Sequence, residues 1–116
     1  MQDEAVDAYL KSLAIKADYF DANYNLGALY FNKAVQMVNE ANDMWKPRMS
    51  DAEATKQKTL EDDGKAMFNT ALPYLEQALA VEPDDRETLR SLRDIYARVG
   101  MDDRMLEVSA KLKTLE

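Results

Sequence analysis

Three charged residues at successive four-residue spacings are the first candidates for chemistry: Arg90, Asp94 and Arg98. Side chains four residues apart are neighbours on one face of a helix, so each arginine can reach the aspartate. The simplest interpretation is an exposed ladder of ion pairs, each worth a few tenths of a kcal/mol. The alternative is a site for an anionic ligand, because two guanidinium groups on one face suit a carboxylate.

A second cluster joins the chain's one tryptophan to two methionines: Met44, Trp45 and Met49. Such side chains can anchor a partner protein. They can also close the hydrophobic end of a helical hairpin, which is the simpler interpretation. The acidic run at residues 61–64 lacks the spaced ligands and the final bidentate glutamate of a calcium loop, so we interpret it as helix surface.

The composition excludes several kinds of catalyst. The chain has no cysteine and no histidine, which removes thiol nucleophiles, imidazole bases and Cys/His zinc sites. We therefore predict a protein that is not an enzyme and that has no cofactor and no metal site. A net charge of −7 repels phosphate backbones, so nucleic acid is not an expected partner. No apolar run approaches the length that spans a bilayer.

The apolar residues recur at helical spacing along the chain, which predicts about five helices. Side chains that can cap helix starts are predicted at Asp18, at Ser50 with Glu53, at Asp84 with Glu87, and at Asp102.

Proline and glycine mark the predicted interruptions. Pro47 should end the second helix near Lys46. Pro73 should kink or restart the third helix, and Gly100 suits the left-handed residue after the fourth.

The chain repeats itself at an offset of 66 residues, and the repeated unit is a helix, a tight turn and a second helix. The matched pairs are Ala5 and Ala71, Leu13 and Leu79, Ile15 and Val81, Asp18 and Asp84, Leu26 and Leu92, Leu29 and Ile95, and Tyr30 and Tyr96.

This unit resembles the tetratricopeptide repeat (TPR). The residues that carry the resemblance are Ala71-x3-Leu75-x2-Ala78-x4-Pro83 for its second helix, and Asn25-Leu26-Gly27-x2-Tyr30 and Leu92-x3-Tyr96-x3-Gly100 for its first helix. The chain departs from the pattern at Ala17, Asn23 and Arg93, where the family prefers Pro, Trp and Gly. Arg93 implies looser packing between the last two helices.

The resemblance implies an all-α fold, a superhelix of antiparallel helix pairs (an α-α solenoid). The family's period is about 34 residues, so the middle repeat carries about 32 residues too many. We predict one domain with a partial repeat at 1–17, an elongated repeat at 18–85 with a hairpin insertion at about 36–67, and a final repeat at 86–116. A helix over 19–46 would be about 42 Å long, and the hairpin would project from the stack with its tip near 47–50.

In TPR proteins the first helices of the repeats line a groove that binds peptides. Carried over by position, the groove residues are Tyr24, Asn25, Asn32, Arg90, Asp94 and Arg98, with Asp21, Ala28 and Ser91 beside them. A solvated helix face is the alternative interpretation. The family's clamp for C-terminal carboxylates is not predicted, because Glu87 and Ser91 stand where basic residues are expected.

The resemblance thus implies a bacterial, soluble, non-catalytic scaffold that binds a partner protein or peptide through the groove, the hairpin or both. The compartment stays open between cytoplasm and periplasm. A second hypothesis is a self-assembly element that dimerises through the exposed first helix or the hairpin. A third is recognition of a small ligand such as a glycan by Trp45 and the tyrosines.

Overall fold

The computed structural model describes residues 2–115, which form five α-helices joined by short turns. In chain order the helices are α1 (Gln2–Ile15), α2 (Phe20–Asp43), α3 (Asp51–Val81), α4 (Arg86–Arg98) and α5 (Asp102–Thr114). Short connections make consecutive helices antiparallel neighbours. No strand occurs in residues 2–115, so the all-α prediction is confirmed. Over the same residues, no helix combines the length and the apolar character needed to cross a membrane.

The core lies between α2, α3 and α4 and continues between α4 and α5. Its largest fully buried side chains are Phe68, Leu26, Leu75, Leu89, Leu92, Ile95 and Thr88. Burying an aliphatic or aromatic side chain of this kind stabilises the fold by about 1.5–3 kcal/mol. The α1 helix contacts α2 and no other helix among the described residues. Among those residues, only α2 covers the apolar face of α1.

The predicted long hairpin is formed by α2 and α3, of 24 and 31 residues. Residues 44–50 form its tip. The prediction that α2 reaches Lys46 is wrong: the helix ends at Asp43 and is about 36 Å long rather than 42 Å. The chain must reverse before Pro47, and the Lys46 ammonium pairs instead with the Glu53 carboxylate at the start of α3.

The α3 helix begins with the predicted capping box. The Glu53 amide donates to the Ser50 hydroxyl oxygen at 3.1 Å, and the Ser50 amide donates to the Glu53 carboxylate at 3.1 Å. The helix then runs without interruption past Pro73, so the predicted restart there is wrong. Pro73 is exposed, and packing of the neighbouring turns against α2 and α4 keeps the helix intact around the missing donor.

The three aspartates predicted to cap helices do not do so. The helix α2 is preceded by Tyr19, which makes no side-chain cap, and α5 by Met101, which makes none either. Asp18 lies in the turn, and Asp102 is the first helical residue of α5, where its negative charge suits the helix dipole.

At α4 the cap is one residue later than predicted. The Asp85 carboxylate accepts from the Thr88 amide at 3.0 Å and from the Thr88 hydroxyl at 2.6 Å. The neighbouring Asp84 pairs with Lys111 of α5 at 2.8 Å. Asp84, which was predicted to cap α4, therefore forms a tertiary ion pair instead.

Two turns contain residues of the repeat pattern: Asn23, which departs from it, and Gly100, which matches it. Asn23, at a position where the family prefers tryptophan, is buried, and its amide nitrogen donates to the carbonyl oxygens of Ala17 and Tyr19 at 3.0 and 3.2 Å. These bonds fasten the α1–α2 turn. Gly100 has φ of +80°, which confirms the left-handed position, and the next amide, of Met101, donates to the Tyr96 carbonyl at 2.8 Å.

Candidate functional site

The six predicted groove residues lie on α2 and α4, two helices that contact each other less extensively than each contacts α3. Tyr24 of α2 is half-buried and stacks on Phe20, with ring centroids 5.8 Å apart. Burial raises the pKa of Tyr24, and the carboxylates of Glu87 and Asp85 at the start of α4 raise it further. The Tyr24 hydroxyl therefore stays protonated at neutral pH and can donate a hydrogen bond.

The next predicted positions on α2 are Asn25, which is partly buried, and Asn32, which is exposed. Neither side-chain amide makes a hydrogen bond within the described part of the chain. By contrast, the amide of the neighbouring Asn23 is used up in the turn. Asn25 and Asn32 thus present donors and acceptors that a ligand backbone can use.

The predicted ladder on α4 is not continuous. The Arg98 guanidinium pairs with Asp94 at 2.8 Å, as expected. Arg90 turns the other way and pairs with Glu87 at 2.7 Å. The α4 surface therefore carries two separate ion pairs, each largely exposed and worth a few tenths of a kcal/mol.

Arg98 also covers the core. Its guanidinium carbon lies 5.1 Å from the centroid of the Phe68 ring, which suits a cation–π contact. Phe68 in turn meets Phe31 edge-on, with centroids 5.6 Å apart and an angle of 68° between the rings. Sequence reasoning placed Arg98 in the groove, and the structure gives it this packing contact as well.

A surface opening of about 550 Å³ adjoins the α4 positions. Its lining combines apolar and charged side chains: Phe31, Arg90, Ser91, Arg93, Asp94, Ala97 and Met105. Sequence reasoning missed Phe31, Arg93 and Met105. Arg93 was identified only as a departure from the repeat, although its spacing from Arg86 and Arg90 places the three on one helix face.

The three residues predicted to cluster at the hairpin tip differ in their exposure to solvent. Met44 and Met49 are partly buried, whereas Trp45 is 67% exposed. Most of the Trp45 indole therefore lies in solvent. The tip lies at the end of α2 and α3, apart from the α2–α4 groove.

The acidic residues of the 61–64 run lie on the surface of α3, in agreement with the helix-surface interpretation. Glu61, Asp62 and Asp63 are exposed, whereas Gly64 is buried against α2. A Cβ at Gly64 would lie 2.9 Å from Cγ2 of Val38. Within residues 2–115, no group of acidic side chains is arranged to hold a metal ion.

A further cavity, of about 490 Å³, opens between α3 and α5 and was not predicted. The lining residues are Glu76, Leu79, Ala80, Pro83, Leu89, Tyr96, Arg104, Glu107, Val108 and Lys111. At its edge the Tyr96 hydroxyl donates to the Glu76 carboxylate at 3.0 Å, and Arg104 donates to the same oxygen at 3.3 Å. Burial, followed by the bond to Glu76, raises the pKa of Tyr96 to about 12.

Comparison with known proteins gives one match. Residues 2–33 match the sequence model of a family described as a TPR repeat. These residues cover α1, the α1–α2 turn and the first part of α2, which is the unit that recurs 66 residues later. Neither the curated proteins nor the solved structures gave a match. The match identifies residues 2–33 as a TPR repeat, and the five-helix architecture is that of a TPR-like helical repeat.

Proposed function

We propose that this chain is a non-catalytic scaffold that binds a partner protein or peptide along the groove formed by α2 and α4. TPR repeats in general mediate protein–protein interactions. The observation that supports the proposal is Tyr24, whose partly exposed ring lies near the carboxylates of Glu87 and Asp85 at the start of α4, together with the Asn25 and Asn32 amides on the same helix, which make no hydrogen bond within the described residues.

The binding mechanism follows from these groups. An extended segment offers backbone amides and carbonyls that Asn25 and Asn32 can bond, and an apolar side chain of the segment can pack on the Tyr24 ring. No covalent chemistry is involved. Tyr24 is the expected energetic anchor, because aromatic residues dominate the binding energy of protein interfaces.

Capture of partners by the immobilised chain tests the proposal. The wild type is compared with Tyr24→Ala and with an Asn25→Ala/Asn32→Ala double variant, and Lys56→Ala on the exposed face of α3 is the control. Proteins retained by the wild type and the control, and lost from the groove variants, are then titrated directly. We expect affinity to fall about tenfold or more for Tyr24→Ala. Equal affinity of all variants for the captured partner would reject the groove.

A second candidate function, self-assembly, is favoured by the surface of α1. Leu10 and Ile15 of α1 and Tyr19 of the following turn are large apolar residues that remain exposed, and Ile15 is 89% exposed. A second copy could cover this face. Light scattering over a range of concentrations tests it: assembly should appear for the wild type and disappear for Leu10→Asp/Ile15→Asp, while a wild type that stays monomeric throughout rejects self-assembly.

A further inference from the structure

Positive charge is concentrated in one helix of this acidic protein. Residues 1–85 carry a net charge of −8, and residues 86–116 one of +1, which together give −7. Four of the six arginines of the chain lie within the 13 residues of α4. The remainder of the chain therefore repels a polyanion, while α4 attracts a short acidic segment.

Three of these arginines share one face of α4. Arg86, Arg90 and Arg93 are spaced by four and three residues, so their side chains are neighbours. They surround a surface cavity of about 130 Å³ whose fourth wall is Leu112 of α5. We call these three residues the arginine face. It is turned toward α5, and two of its members also line the larger opening that contains Phe31 and Met105.

The charges of the arginine face are only partly compensated. Arg90 pairs with Glu87, and Arg86 donates to the uncharged carbonyl of Leu115 at the end of α5. Arg93 makes no ion pair with any residue that the structure describes. Like charges three and four residues apart destabilise a helix. The three arginines are therefore expected to lower the stability of α4 rather than to raise it.

The packing of the repeat does not require an arginine at position 93. The equivalent residue 66 positions earlier is Gly27, which is buried, and a Cβ there would lie 2.6 Å from Cγ of Leu75. The glycine allows α3 to approach α2 closely. At the same place in the last repeat, Arg93 is exposed and borders an open cavity.

We propose that the arginine face binds an acidic peptide segment of a partner protein. Two or three carboxylates of the segment pair with the guanidinium groups of Arg86, Arg90 and Arg93, which can each grip a carboxylate with two hydrogen bonds. An apolar side chain between the carboxylates enters the cavity that the three arginines form with the largely buried Leu112. This inference rests on the proposed function, because it names the chemical class of the partner and adds a second row of contacts on α4.

Fluorescence anisotropy with a defined probe tests the inference. The probe is a fluorescein-labelled twelve-residue peptide in which eight glutamates surround two leucines, and its matched control has glutamine at all eight positions. We expect the acidic peptide to bind, its affinity to fall as salt rises, and the glutamine peptide to bind at least thirtyfold more weakly. Equal binding of the two peptides would overturn the inference.

Variants locate the site. Arg93→Gln should weaken binding of the acidic peptide about tenfold, as should Arg86→Gln, while Arg48→Gln at the hairpin tip removes the same charge and should leave affinity unchanged. Arg93→Gln is the decisive variant, since Arg93 makes no ion pair with the residues that the structure describes, and circular dichroism checks that the helices persist. Unchanged affinity in Arg93→Gln would overturn the inference.

Three further outcomes distinguish this inference from the proposed function and from self-association. Acidic-peptide binding that is absent from the wild type, together with partner capture that still depends on Tyr24, overturns the inference and leaves the proposed function standing. A solution mass that grows with concentration and is reduced by Arg93→Gln, without binding of the peptide, assigns the arginine face to a second copy of the chain and also overturns it. Acidic-peptide binding that depends on Arg93 and not on Tyr24 supports the arginine face alone.

Discussion

The helix pairs α2/α3 and α4/α5 follow one another along the chain but are held together differently. Between α2 and α3, Gly27 is buried against Leu75, which is fully buried. Stacked Tyr30 and Tyr74 rings, with centroids 5.9 Å apart, extend the contact. The first pair is therefore joined mainly by close apolar and aromatic packing.

The second pair depends more on polar contacts. Arg93 stands in the place of Gly27, and α5 is tied to the rest by the Lys111–Asp84 ion pair and by the Arg86 bond to the Leu115 carbonyl. Arg104 reaches Glu76 of α3. The two helix pairs are thus closed in two ways, and the second should be the more sensitive to salt and to charge neutralisation.

The largest expected effect is a loss of stability when apolar packing is removed, which should differ between the two helix pairs. Leu75→Ala should lower the free energy of unfolding by about 2–5 kcal/mol, because it leaves a cavity in the centre of the core. Leu112→Ala should cost less, since Leu112, although buried, lies at the edge of the core beside a surface cavity, whereas Leu75 is fully enclosed. Urea unfolding followed by circular dichroism measures both, and equal losses would contradict the comparison.

The next effect concerns the equivalent positions themselves. Gly27→Ala should destabilise the protein by about 1–3 kcal/mol, because the new Cβ would overlap Leu75. Arg93→Ala places the same methyl group at the matching position of α4 and should change stability by no more than about 0.5 kcal/mol. Thermal melting of the two variants side by side decides the matter, and a tolerated Gly27→Ala would show that α2 and α3 are not closely packed there.

A smaller effect should appear at alkaline pH in the second pair. The pKa of Tyr96 is raised to about 12 in the folded state, from the ordinary value of 10. Tyr96 therefore contributes stability that is present below pH 10 and is lost as pH rises through about 12. Melting temperatures between pH 9 and 12 should fall less steeply in Tyr96→Phe than in the wild type. Identical slopes would show that Tyr96 does not link α4 to the Glu76 carboxylate.

The smallest effect lies at the hairpin tip, far from both contacts. The ion pair with Lys46, then the bonds with Ser50, lower the pKa of Glu53 to about 2. The stabilisation by Glu53 is thus present above its usual pKa and is lost as pH falls through about 2. The Ser50 amide resonance in NMR spectra should titrate near pH 2, and Lys46→Gln should raise that midpoint. A midpoint near 4.5 in the wild type would mean that the capping box and the ion pair are absent.

Much of the fold could be predicted from the sequence, because helical apolar spacing and the 66-residue offset depend on local pattern alone. The capping box of α3 and the left-handed Gly100 were predicted for the same reason. The cap of α4 could not be chosen between two adjacent aspartates. Asp84 is drawn away by Lys111, a contact between residues 27 positions apart that no local pattern contains.

The candidate site was predicted less completely. The groove positions on α2 and α4 followed from the resemblance, and the structure places them on neighbouring helices. The role of Arg98 over Phe68 and the cavity walls formed by Leu112 and Met105 depend on how three helices meet. The spacing of Arg86, Arg90 and Arg93 in the sequence indicates a common helix face, but the cavity beside them and its Leu112 wall required the structure.

The exposed Trp45 makes the hairpin tip visible to spectroscopy separately from everything else. It is the chain's one tryptophan, and its indole is already largely in water before unfolding. Intrinsic tryptophan emission should therefore change little when the core melts, and a stability curve recorded in that signal would miss the main transition. Because the Trp45 emission responds little to the core, a molecule that covers the hairpin tip should be detectable as a shift of that emission to shorter wavelength.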